Sequence, residues 1–173
     1  MEQAKRLSKG EWKTQFEAVM LEVRTGNFLV AEEMVSDSLG VFFATGRLWA
    51  TLIQMLHAKA NTKAGFDHAH NTFKQALNEI PKSGEVWCEG ARIAMANHPE
   101  NPYFDLEKAY QYFQFAVQFT PQYGDSFLEL MRLCMMQNNM TLLEEIKQQC
   151  KHLEPNYGVL WFFFRNSVVE NAM

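Results

Sequence analysis

His68 and His70 lie two residues apart with Asp67 beside them, the residue types of a metal site. On a helix, however, a two-residue step turns side chains to different faces, so the pair cannot share an ion. His57, His98 and His152 stand alone. A thiol nucleophile needs a base to activate it. Cys88, Cys134 and Cys150 form an odd set without metal-like spacing, and no histidine and asparagine accompany Cys88. The carboxylate pairs Glu32–Glu33 and Glu144–Glu145 read as solvated helix faces. No phosphate-cradling glycine loop, zinc-protease motif or nucleophile elbow occurs. Neither catalysis nor a metal or other cofactor is expected. The one recurring chemical group is a guanidinium, Arg92 and again Arg132, suited to gripping carboxylates.

The elements that would position these groups follow from a large aromatic that returns along the chain. Trp12, Trp49, Trp87, Phe127 and Trp161 recur at intervals of 37, 38, 40 and 34 residues. That period marks stacked helical hairpins. A second landmark keeps the same frame. Ala69, Phe73, Ala76 and Pro81 are spaced by 4, 3 and 5, as are Ala109, Phe113, Ala116 and Pro121. Leu143, Cys150 and Pro155 continue it, but Lys147 stands in the large apolar place, with Ile146 one residue early. Ala31, Val35, Ser38 and Phe43 keep the frame without the proline. Steps of 4 and 3 put small, large and small residues on one helix face. Proline ends the helix, and the aromatic six residues later opens the next.

This predicts helix pairs over 11–25 and 27–40, 48–60 and 66–80, 84–96 and 104–119, 124–137 and 140–153, then a single helix over 158–172. Asp67, Asp105 and Thr141 are expected caps or first-turn residues. Residues 61–65 and 97–103 read as lengthened connections. The repeat units fall at 11–47, 48–85, 86–125, 126–159 and 160–172, after a polar segment 1–10.

Composition narrows the function. Of 173 residues, 47% are hydrophobic and 13% aromatic, enough for a packed core and too many for a disordered chain. The net charge of −4 gives no overall basic surface, so direct nucleic-acid binding is not expected. The apolar run 159–164 is far shorter than the roughly 20 residues a bilayer requires, so no membrane span is expected. Three unpaired cysteines point to a reducing compartment, cytoplasmic or nuclear.

Together the second-helix residues, best seen in AHNTFKQALNEIPKSGEVW from Ala69 to Trp87, resemble the tetratricopeptide repeat (TPR). They are also similar to the half-a-TPR (HAT) repeat. The resemblance covers residues 11–172. The first-helix pattern is degraded, with Ala91 the only small residue four after an aromatic. HAT's Glu-Arg after the second-helix aromatic is missing: Lys74 and Gln75 follow Phe73. The resemblance implies an all-α right-handed superhelix of about four hairpins plus a C-terminal helix. It implies a noncatalytic interaction scaffold or adaptor within a larger assembly, with a HAT-like subunit of an RNA-processing complex as the alternative.

In the family the first helices line the concave face. That places Gln54, His57, Arg92, Met95, Arg132 and Met135 in a groove suited to an acidic, amphipathic peptide or partner helix. A competing expectation pairs the arginines with Glu89 or Glu129 on a solvated surface. In the last helix, Trp161, Phe164 and Val168 are expected to pack inward. Phe162, Phe163 and Val169 are then left for a partner, a second copy of the chain or a further helix.

Overall fold

The structure, a computed structural model, describes residues 11–170, with side chains through Arg165. The polar segment 1–10 and the last three residues lie outside the described residues, as do the side chains of Val168 and Val169. The described chain is helical apart from turns and a single bridge between Tyr123 and Tyr157. It divides into two units, one ending at Pro81 and one beginning at Lys82.

The first unit holds α1 (Glu11–Thr25), α2 (Phe28–Val41), α3 (Gly46–Ala58) and α4 (Lys63–Glu79). Helix α1 pairs with α2, α2 with α3, and α3 with α4. The second unit holds α5 (Gly84–Met95), α6 (Leu106–Phe119), α7 (Gly124–Met136), α8 (Met140–Leu153) and α9 (Val159–Glu170). Its hairpins are α5–α6 and α7–α8; α7 also packs on α5, α6 and α9.

Most of the frame read from the sequence is core, although Phe43 is exposed. Ala31, Val35, Ala69, Phe73, Ala76, Ala109, Phe113 and Ala116 are all fully or almost fully buried. Burying a phenylalanine side chain such as Phe113 contributes about 1.5–3 kcal/mol. In α8, Leu143, Ile146 and Cys150 are buried, while the Lys147 side chain is 46% exposed.

The helix ends also have local causes. Ile80 and Thr120 leave their helices at φ −140° and −138°. Both precede a proline, which disfavours the helical region for the residue before it. The next equivalent, Glu154 before Pro155, instead adopts φ 48°. Asp105 caps α6 by accepting from the Lys108 amide at 2.9 Å, as expected. Thr141, in the first turn of α8, also stands as expected, whereas Asp67 differs. Asn139 caps α8, accepting from Leu142 N at 3.1 Å, and Thr141 lies inside the first turn. Thr62 caps α4, so that helix begins at Lys63 and Asp67 falls past its first turn. The apparent long connection at 61–65 is therefore mostly additional helix.

The second long connection is real and tightly bound. Buried Asn101 donates to the carbonyls of Ile93 and Ala96, both at 2.8 Å, and accepts from Tyr103 N at 3.0 Å. Each carbonyl also accepts from a backbone amide, Ile93 O from Ala96 N at 3.3 Å and Ala96 O from His98 N at 3.0 Å, so Asn101 adds a second bond to both.

A further regularity, outside the frame of small and large residues, concerns glycine. It stands three residues before each of four aromatics: Gly46, Gly84, Gly124 and Gly158. At two of them the helix start touches its neighbour. A Cβ on Gly84 would lie 2.4 Å from the Ala116 carbonyl oxygen, and one on Gly124 would lie 2.3 Å from the Trp161 ring. Absent side chains let the helices approach there.

Candidate functional site

Two residues after the aromatic comes a glutamate on both α5 and α7, and five after it an arginine. Packing α7 against α5 joins these into a ladder. Arg92 pairs with Glu89 one turn away on its own helix through Nη1, and its Nε donates to Glu129 Oε1 at 3.0 Å. Glu129 Oε2 lies 2.7 Å from the Nε of Arg132. Arg92 Nη2 lies 3.9 Å from Asp125 Oδ2. The ladder climbs from a buried interior to the surface. Glu89 is 2% exposed, whereas the Arg132 side chain is 56% exposed.

Asp125 has a second duty. Its Oδ1 accepts from Trp161 N at 2.8 Å and its Oδ2 from Val159 N at 3.1 Å, so it caps α9 from another helix. The Tyr123 hydroxyl donates to the same Oδ2 at 3.3 Å. Gly158, at φ +137°, gives the chain room: a Cβ there would sit 2.2 Å from Asp125 Oδ1. Nearby, Tyr157 OH donates to Glu85 Oε1 at 2.6 Å.

Three buried carboxylates thus surround Arg92. Burial raises the Glu89 carboxyl to about 7; Glu129 and Asp125 add to the rise and Arg92 opposes it. Its Oε2 has no hydrogen-bond partner among the described residues. Burial alone would lower the Arg92 value, but Glu89 and its other anionic neighbours outweigh that, so the guanidinium stays charged. Burial holds the Tyr123 hydroxyl well above its usual range.

These shifts give the pH dependence a definite sign. The folded state holds the Glu89 proton up to about pH 7, whereas an unfolded glutamate releases it near 4.5. Between these values the folded state binds more protons, so this group's contribution to stability falls as pH rises. Urea midpoints measured from about pH 4.5 to 7.5 should decline through this window. Glu89→Gln should flatten that decline, and an unaltered slope in the variant would assign it elsewhere.

The six expected groove residues separate into two sets. Arg132 and Met135 are exposed on α7, Gln54 is exposed on α3, and His57 is half-buried with its ring 6.0 Å from that of Phe66. Arg92 and Met95 are corrections. Met95 is 3% exposed within the α5–α6–α7 core, and Arg92 is spent on internal carboxylates. Both arginines do pair with glutamates, but only Arg132 does so at the surface. Cys88 is fully buried, and burial pushes its thiol well above the usual range.

On α9, Phe162 and Phe163 are exposed as expected, the latter 66%. Phe164 is also exposed rather than packed inward, and Val169 lies outside the described side chains. Sequence reasoning missed Asp125 and Tyr123. The signal for Asp125 was an acidic residue two before the aromatic that opens the fourth unit, where Glu85 stands before Trp87 one unit earlier. No helix among the described residues is long and apolar enough to cross a membrane.

Comparison with known proteins agrees with this architecture. The family model described as PRP6, TPR-like domain, matches residues 1–173. A TPR-containing protein of Dictyostelium discoideum is 41% identical over 163 residues, covering 94% of this chain but 12% of that protein. Among solved structures, a thermophilic TPR protein of Thermus thermophilus superposes with a TM-score of 0.60 at 14% identity, covering 83% of this chain and 74% of that one. The type III secretion translocator chaperone SycD of Yersinia enterocolitica gives 0.54 at 12% identity, covering 83% and 97%. These structures share the TPR-like all-α solenoid fold. The chain belongs to the PRP6 TPR-like domain family.

Proposed function

We propose that this chain is a noncatalytic protein-interaction module, part of a larger assembly, that holds an acidic, amphipathic peptide or helix on the first-helix face of its repeats. The observation that carries this reading is the outward end of the charge ladder. Arg132 is anchored through Nε to Glu129, yet its side chain is largely exposed. Met135 and Met136 are exposed in the same turn of α7. An anchored guanidinium loses little freedom when it takes a carboxylate, and methionines adapt to varied apolar anchors.

Arg92 serves this face from within, by holding Glu129 and through it Arg132. Gln54 and His57 occupy the same frame positions on α3 and are proposed as contacts of the same kind in the first unit. The family match and the likeness to a secretion chaperone support a binding role.

The test is Arg132→Glu combined with Met135→Ser. Wild-type and variant chains are used to recover bound proteins from the native source, with far-ultraviolet circular dichroism as the folding control. Recovery should fall about ten-fold or more, since reversing an anchor charge and removing its apolar neighbour each cost over about 1 kcal/mol at a hot spot. Equal recovery with equal helicity would remove this face from the binding surface.

A further inference from the structure

The oddest residue in the repeat frame is Lys147. One repeat earlier the equivalent place holds Phe113, fully buried, against which Phe127 and Leu130 of the next helix are seated without exposure. Their equivalents on α9 are Trp161 and Phe164. Here lysine stands in place of phenylalanine, and α9 is seated less deeply: Trp161 is half-buried and Phe164 exposed. A groove of about 770 Å³ remains between α7, α8 and α9.

Its chemistry is asymmetric. Leu128 and Met131 of α7 with Trp161 and Phe164 of α9 give it apolar walls. Lys147 and Lys151, one helical turn apart on α8, and Arg165 on α9 stand along it as cations; Glu154 is the single anion. Glu144 neutralises Lys147 only from outside, at 3.5 Å in an exposed pair that contributes little.

We propose that this groove docks an amphipathic helix of a partner protein whose apolar stripe is flanked by acidic residues. Charge complementarity selects that occupant: the apolar walls take anchors spaced i, i+3, i+4 and i+7, and the two lysines with Arg165 meet the flanking carboxylates. Neither Arg132 nor Met135 lines this groove, although its wall residues Leu128 and Met131 lie one helical turn from them.

The probe is a fluorescein-labelled helical peptide with leucine and phenylalanine at those anchor positions and glutamate on both flanks. A control peptide carries lysine in place of glutamate. Fluorescence anisotropy with the full chain should show the acidic peptide binding about ten-fold or more tightly than the basic one, and weakening as salt is raised. Lys147→Glu with Lys151→Glu should abolish that preference with unchanged helicity, because both residues are exposed and outside the core. Arg132→Glu should leave it intact.

Three results would overturn the proposal: equal affinity for both peptides, no measurable binding of the acidic one, or binding lost in Arg132→Glu and kept in the double lysine variant. The last would move the peptide to the first-helix face and leave the proposed module function standing. Concentration-dependent dimerisation that the acidic peptide fails to displace would also overturn it, by giving the groove to a second copy.

Discussion

Arg92→Leu is expected to destabilise the second unit by about 3–5 kcal/mol, because it strands buried carboxylates without their cation. The leucine replaces the arginine stem, so packing alone does not explain the loss. Glu89, Glu129 and Asp125 would be left facing one another, and Glu89 would bind its proton still more tightly. The cost should therefore shrink as pH is lowered and the carboxyls neutralise. Adding Glu89→Gln should recover part of it at about pH 7.5, since folding no longer has to take up a proton at that site. Arg132→Leu, by contrast, removes the exposed end of the ladder and should cost within about 1 kcal/mol. Chemical denaturation of the wild type and these three variants at two pH values is the measurement. Equal losses for Arg92→Leu and Arg132→Leu would show that burial does not set the strength of these pairs.

The second large effect lies in the repeat frame itself. Phe113→Ala should cost about 3–5 kcal/mol, the range for emptying a phenylalanine site in a core that cannot collapse fully. Lys147→Ala changes the same frame position one repeat later and should cost under about 1 kcal/mol, as surface substitutions do. Phe113 is surrounded by α5, α6 and α7, whereas Lys147 has solvent on one side. Thermal melts of the two variants decide the matter. Comparable losses would mean that the frame position, rather than its surroundings, fixes the energetics.

The legible part of this molecule was the part written in small and large apolar residues. Ala69, Phe73 and Ala76 announce one helix face by spacing alone, and Pro81 and Pro121 announce where helices stop. Helix ends fixed by one side-chain bond were less legible. Thr62 rather than Asp67 caps α4, because both types cap well and only the packing of Phe66 and Ala69 sets the register. The arginines show the limit more clearly. Arg92 and Arg132 are equivalent in the sequence, and helical geometry gives them one direction. Their difference arises from the next helix in space: α7 brings Glu129 and Asp125 over Arg92, while α9 carries Phe163 where another glutamate would stand above Arg132. Phe164 holds the place of Leu130 but has Lys147 where Leu130 has Phe113, so its own spacing did not place it.

Asp125 belongs to the charge ladder and also terminates α9, so the final helix and the interior are not separable. Detaching α9 would leave the Val159 and Trp161 amides bare and return a buried carboxylate to a crowded anionic setting. Loosening that starts at the C-terminal end should accordingly pause at Tyr157. Amide exchange should be fast along α9 beyond its first turn, and slow from there back through α7, with Asp125 marking the boundary between the two regimes.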